Sequence, residues 1–268
     1  MSNDSIAKTF IVAGLLCAVC AVLVSGSAVS LRPMQEANKV LDVKKNLLMA
    51  AGLIKGNPSV KEIESAFAKI ETKVINLETG EEATDIDAAA YNQREASKDP
   101  KQSVSIPTSE DIAKIKSRAK YGKIYIYKPE GTVEMVILPI HGKGLWSTLW
   151  GFIALSSDVN TVKGIGFYEH GETPGLGGEV DNPRWKSLWA GKKIYDENGK
   201  PVINVVKGAA PEGAEHKIDG LSGATITSLG VQNLVNYWFG SDGFQKYLNN
   251  FRSQNEAASS DDSVSMAQ

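Results

Sequence analysis

The sequence predicts an α+β domain held behind a single N-terminal transmembrane helix. Three features predict it: an uncharged apolar stretch from Thr9 to Leu31, a series of short β-rich runs after residue 120, and two apolar helical patterns able to cover one sheet. With 268 residues, 42% of them apolar and 22% charged, the chain can bury one large core or two small ones. Collagen-like, disulfide-stapled and wholly disordered classes drop out. The 29 basic side chains against 31 acidic ones leave a formal charge of -2, which lacks the basic footprint of a nucleic-acid binder.

A short segment, residues 1–8, precedes the apolar stretch at 9–31. At ~1.5 Å per residue that stretch is about 34 Å long as a helix, enough to cross a hydrocarbon core of about 30 Å. The competing reading is a cleaved signal peptide, for which Gly26-Ser27-Ala28 supplies small residues before a cut. Its basic n-region would be Lys8 alone, and the run exceeds the usual ~7–15-residue apolar core, so a retained anchor is the better reading. Cys17 and Cys20 lie inside it and read as small apolar residues, because a thiol in hydrocarbon is hard to ionise. Arg32, Lys39, Lys44 and Lys45 follow the stretch, and a plain count of basic residues would leave the C-terminal bulk in the cytoplasm.

Residues 32–120 read as a helical connector with a polar insertion. Ala37, Val40, Leu41, Leu47 and Leu48 approximate helical spacing over Gln35 to Ala50. Ser59 with Glu62 fits a capping box that opens a short helix through Phe67 and Ile70. Glu78 to Thr108 is polar and irregular and reads as a surface insertion or long loop.

Residues 121–251 read as the folded domain. Lys123 to Tyr127, Thr132 to Leu138, Ile153 to Leu155, Val162 to Phe167 and Val202 to Val206 are the β-rich runs of a twisted antiparallel sheet. Helices near Trp185 to Trp189 and Leu229 to Phe239 would cover it, with Trp185, Trp189 and Trp238 as packing residues. Residues 252–268 are small, polar and partly acidic, the composition of a disordered tail.

The chain has no G-x-G-x-x-G opening a βαβ unit and no G-x-x-x-x-G-K-[ST], so no nucleotide cradle of those types is written in it. His141, His170 and His216 are far apart and lack metal-site spacing, which predicts no metal. Three glycine-rich segments remain: His141 to Ser147, His170 to Gly178, and Asp219 to Thr227. Together, with Trp146 and Leu176 beside the glycines, they could wall a pocket for a flat aromatic ligand. In the third, Ser222, Thr225, Thr227 and Ser228 precede an apolar periodic run from Leu229 to Trp238. Hydroxyls at a helix N-terminus suit a phosphate, whose charge meets orphan N–H donors and the positive end of the helix dipole; they also suit a plain N-cap with spare hydroxyls.

Asp219-Gly220-Leu221-Ser222-Gly223-Ala224-Thr225 resembles the D-x-x-[ST]-G-A-T flavinylation motif, and the Glu172 to Gly177 and Gly142 to Trp146 segments resemble further signatures of the FMN-binding domain family. Their order behind an anchor is similar to the C-subunit family of Na⁺-translocating NADH:quinone reductases, from the anchor to about Phe251.

That resemblance implies FMN joined through its phosphate to Thr225, installed by a flavin transferase with FAD as donor and Asp219 as part of what the transferase recognises. It implies a site in which Ser222, Gly223, Ala224 and Thr227 surround the phosphodiester, Leu145, Trp146, Leu176 and Gly177 border the ring, and Glu172 and Thr173 bond ribityl or ring atoms. His170 would sit near enough to tune flavin protonation. The expected role is a single-electron relay between the cofactors of other membrane subunits, with NADH oxidation and quinone reduction done elsewhere. The expected location is a bacterial inner membrane with the flavin domain on the periplasmic face, against the basic-residue count. Two alternatives stand beside this reading: the homologous flavin subunit of an ion-translocating ferredoxin:NAD⁺ oxidoreductase, and a non-redox anchored binding or assembly module.

Overall fold

The structure is a computed structural model that describes residues 5–254; positions 1–4, and from the expected tail positions 255–268, lie outside the described residues. Two compact units divide between Val43 and Lys44.

The first unit is helical. Helix α1 runs from Ile6 to Ala50 without a break at Pro33, where the sequence suggests two separate helices. It is long and apolar enough to cross a membrane, with mean hydropathy 2.4 over its best window. Phe10, Leu15, Leu23 and Val29 are exposed along it. The hydroxyls of Ser25, Ser27 and Ser30 donate to the carbonyls of Val22, Leu23 and Ser27, which leaves no polar hydrogen pointing away from the helix at those positions.

The second unit is built on a five-stranded sheet, antiparallel throughout, in the order β1 (Ile70–Asn76), β4 (Tyr121–Tyr127), β5 (Met135–Lys143), β6 (Thr148–Ser156), β7 (Val162–Glu169). Helix α2, Val60–Phe67, opens on the expected capping box and stops before Ile70. Ile70 instead begins β1, Ile70–Asn76, paired with β4, Tyr121–Tyr127. The predicted helix is corrected there: the β-branched Ile70, Thr72, Val74 and Ile75 pair with a neighbouring strand that local periodicity does not reveal. Strands β5, Met135–Lys143, and β6, Thr148–Ser156, form a hairpin longer than the two runs the sequence suggests, with the first glycine segment at its tip. The strand β7, Val162–Glu169, closes the sheet.

Alternation along the strands divides the core. Ile124, Ile126, Val136, Leu138, Ile140 and Ile153 belong to the cluster that includes Val231, Leu234 and Val235 of helix α5, Thr225–Trp238. On the opposite face Tyr125 meets Phe67 and Phe152 edge-on, and Leu47, Leu48 and Ile63 are buried. Trp185, Trp189 and Trp238 are buried as packing residues.

The expected insertion Glu78 to Thr108 is more ordered than an irregular loop. It holds α3, Gln93–Ala96, capped by Asn92, and β2, Ser103–Ser105, which pairs with β3, Ser117–Ala119. Arg94 of α3 forms a two-point ion pair with Glu169 of β7 and lies over Trp150. Helix α4, Pro183–Ser187, follows a short 3-10 turn over Gly177–Asp181. The run at Val202 to Val206 lies outside the main sheet: β8, Asn204–Val206, pairs in parallel with β9, Lys217–Asp219. Residues 245–254 are helical, so positions 252–254 of the expected tail continue a helix.

Candidate functional site

All three glycine segments meet at the start of α5. The helix begins at Thr225, four residues before the periodic run read from the sequence, so Thr225 is its first residue. Its N-cap is Ala224, which has no side chain able to accept a hydrogen bond. Ser228 bonds back to the Ala224 carbonyl and its hydroxyl accepts the Leu221 amide, leaving the first-turn amides without a capping side chain. Thr225, Ser222 and Gly223 are exposed and Ala224 is buried. Gly223 has φ +71, a turn conformation that a side chain would strain.

The second segment supplies Leu176, half exposed, whose Cδ2 lies 3.0 Å from the position a Cβ on Gly223 would take. Thr173 is exposed, and its carbonyl accepts the Leu176 and Gly178 amides, so the loop turns back on itself to present Leu176. Leu145, 41% exposed, and Trp146, 66% exposed, project from the tip of the β5–β6 hairpin. The hairpin packs against α5 through glycines: a Cβ on Gly230 would come 2.5 Å from the Lys143 carbonyl, and one on Gly142 would come 2.5 Å from Leu234 Cβ.

Glu172 and Thr227 lie together inside the protein, between the second and third glycine segments. Both are buried. Thr227 Oγ1 donates to Glu172 Oε2 at 2.6 Å. Glu172 accepts the Leu145 amide at 3.2 Å, the Trp146 amide at 3.0 Å and the Ser147 amide at 3.1 Å, so both carboxylate oxygens are engaged by protein donors. Burial opposes ionisation of Glu172, but the bonds from Thr227 and those three amides outweigh it and hold its carboxyl below the ordinary glutamate value. Gly177 is buried beneath the same pair.

His170 Nε2 lies 2.8 Å from Asp181 Oδ2, and its Nδ1 accepts the Glu172 amide at 3.2 Å, a pairing that sets Nε2 as the protonated nitrogen. Both ring nitrogens therefore serve the loop. Asp219 accepts the Ala210 amide through Oδ1, while its carbonyl takes Trp185 Nε1 at 2.8 Å; it anchors the chain that leads into Thr225.

Sequence reasoning misses two neighbours of Thr225. Ile226 is 57% exposed, and Leu229, which the periodicity places on the buried face, is 45% exposed. The two extend the apolar surface along α5 beside Thr225. The signal is present in the sequence: Ile226, Leu229 and Gln232 fall on one side of the helix, away from Val231, Leu234 and Val235.

The site thus combines an exposed alcohol, unclaimed helix-start amides and exposed apolar side chains. Those features fit a ligand with one phosphoryl end and one flat apolar ring. Residues 144–240 match the model of the FMN-binding domain family. Over 255 residues the chain is 46% identical to the C-subunit of the Na(+)-translocating NADH-quinone reductase of Pseudomonas aeruginosa, spanning 94% of this chain and 98% of that one. The C-subunit of the Vibrio anguillarum reductase is 50% identical over 248 residues, 92% of this chain and 95% of its own. The crystal structure of Shewanella oneidensis NqrC superposes with a TM-score of 0.75 at 40% identity, covering 81% of this chain and 99% of that one.

Proposed function

This chain belongs to the C-subunit family of Na(+)-translocating NADH-quinone reductases, and from that premise we propose that it carries FMN as a phosphodiester on Thr225 and relays single electrons between the cofactors of partner subunits. As a flavoprotein subunit of a sodium-pumping oxidoreductase complex, it has the other subunits of that complex as partners. The observation that carries the finer reading is the exposed Thr225 at the uncapped start of α5, two residues after Gly223, which Leu176 approaches.

When bound, the flavin supplies one-electron redox chemistry, and the protein supplies its place and surroundings. The amides of the first turn of α5 face the phosphodiester charge, assisted by the helix dipole. Ser222, exposed on the same turn, offers a further hydroxyl. Leu145, Trp146 and Leu176, all exposed, would border the ring and exclude water from part of it. A threonine alcohol is a weak nucleophile, so a separate flavin transferase makes the ester: Thr225 Oγ1 bonds to the FMN phosphorus of FAD, AMP leaves, and the hydroxyl proton is released. NADH oxidation belongs to a partner, since the sequence contains no nicotinamide fingerprint of the Rossmann type. The α1 helix anchors the chain in the bacterial inner membrane with the flavin domain in the periplasm, where protease added to intact spheroplasts would reach it; protection would reverse that side.

Mass analysis of the peptide containing Thr225, from chain taken out of its native membranes, tests the attachment. One added FMN moiety is expected, and none in Thr225→Ala. An unmodified parental peptide overturns the reading.

A further inference from the structure

Glu172, in the second glycine segment, uses both carboxylate oxygens inside the protein, and its partners come from the first and the third. Oε1 takes the Trp146 and Ser147 amides, while Oε2 takes the Leu145 amide and the Thr227 hydroxyl. Ser147 Oγ in turn accepts the Gly171 amide at 2.6 Å, which closes a ring between the hairpin tip and the Glu172 loop.

The glycines around it are shaped to this carboxylate. A Cβ on Gly144 would come 2.7 Å from Oε1, and one on Gly177 would come 2.8 Å from Oε2 and 2.6 Å from Thr227 Oγ1. The glycines of two motifs that read as room for a ligand are therefore room for an acid side chain of the protein itself. Each of its neighbours is a donor, so only an ionised carboxylate satisfies them; an amide would turn N–H against N–H.

We propose that Glu172 is a positioning residue for the flavin: by fastening the Leu145–Trp146 wall to the first turn of α5, it sets the wall's distance from Thr225. It acts through Leu145, Trp146 and Thr227. This inference rests on the proposed attachment of FMN at Thr225, and it adds what holds the ring once attached.

The test uses the full-length chain with Glu172→Gln, Thr227→Val, Thr227→Ser and, as a core control far in sequence from the three segments, Leu48→Ala, whose side chain is fully buried elsewhere. In the Thr225→Ala background, amide exchange at Leu145, Trp146 and Ser147 is expected to quicken roughly 10- to 100-fold on Glu172→Gln, the scale of hydrogen bonds to a charged group. In flavin-loaded chains, flavin fluorescence anisotropy is expected to fall in Glu172→Gln and Thr227→Val, to return in Thr227→Ser, and to stay at the parental value in Leu48→Ala. Thr227→Val carries the loaded measurement where Glu172→Gln does not fold. Unchanged exchange at the three amides overturns the proposal, as does parental anisotropy in Thr227→Val or an equal fall in Leu48→Ala. A parental peptide without FMN mass would instead defeat the attachment, and the exchange measurement would still decide whether Glu172 fastens the wall.

Discussion

Helices α2 and α5 begin in opposite ways. The first turn of α2 is completed by its own residues: Ser59 Oγ accepts the Glu62 amide, and Glu62 accepts the Ser59 amide at 2.7 Å. The first turn of α5 has alanine as its N-cap, and the side chain that grips it, Glu172, comes from 55 residues earlier in the chain. The contrast teaches that a helix start closed by local side chains serves the fold alone, whereas one held from below, with its amides uncapped and its first side chain exposed, is open to a phosphate.

The largest expected blow to that contrast is Gly177→Ala. The new methyl would press on Thr227 Oγ1 and Glu172 Oε2 together, neither of which can swing away without losing its partner. Overpacking of this kind costs about 1–3 kcal/mol, read as a fall in Tm, and it is expected to quicken exchange at the Leu145 and Trp146 amides as well. Gly52→Ala is the comparison: its φ of +71 carries conformational strain, but nothing lies within 4 Å, so the site's amides stay protected. Equal loss of protection in both would dissolve the distinction between a glycine kept for space and one kept for its turn.

Acid titration needs a control before the two helix starts can be compared, because a histidine titrates first. His141 is buried, its ring stacked on Trp150 at 4.3 Å between centroids and tilted against Trp238 at 4.8 Å. Burial, with the Arg94 charge adding to it, pushes its pKa down to about 3. The unfolded chain therefore binds a proton near pH 6.5 that the folded chain refuses, and stability falls as pH drops from 6.5 towards 3. Between pH 7 and 5 the loss is about 2 kcal/mol, and His141→Phe is expected to remove that slope in denaturant titrations. Glu62 and Glu172 are both held below their usual value, so their contributions are present above about 4.5 and disappear only at lower pH. A slope between pH 7 and 5 that survives His141→Phe would assign it to another group.

Much of this is legible in the sequence, and the failures share a cause. The apolar stretch, the capping box at Ser59 and the helix following the S-G-A-T segment are read from residues a few positions apart. The exposure of Thr225 follows once the helix is placed. By contrast, the start of β1 reads as helix because its evidence is a pairing with β4, about 50 residues on, and the protein partners of Glu172 go unread because they lie 25 to 27 residues before and 55 after it. The bond from Thr227 to that acid is hidden for the same reason, since the two residues are 55 positions apart. Leu229 marks a smaller error, where apolar periodicity implies burial although the residue sits at the edge of the buried face.

The smallest effects address the two helix starts directly. Ser59→Ala is expected to lower stability by about 1 kcal/mol, since it removes one half of the capping box, and to leave flavin content unchanged. At the other helix the sign reverses. In the flavin-free chain, Thr225→Asp places a carboxylate at the first residue of α5, whose own first turn holds no acid and whose N-cap has no side-chain bond, and a gain of about 0.3–1 kcal/mol is expected. Val60→Asp occupies the equivalent first position of α2, is 58% exposed, and meets a turn already occupied by Glu62, so it is expected to gain less than Thr225→Asp. Denaturant midpoints at low salt measure both, and raising salt should erase the difference because the dipole term is screened. Equal gains at the two positions would mean that the start of α5 is no more in want of negative charge than an ordinary capped helix. The pair of substitutions therefore tests, without any flavin present, whether the fold itself prepares the place where the phosphodiester is proposed to sit.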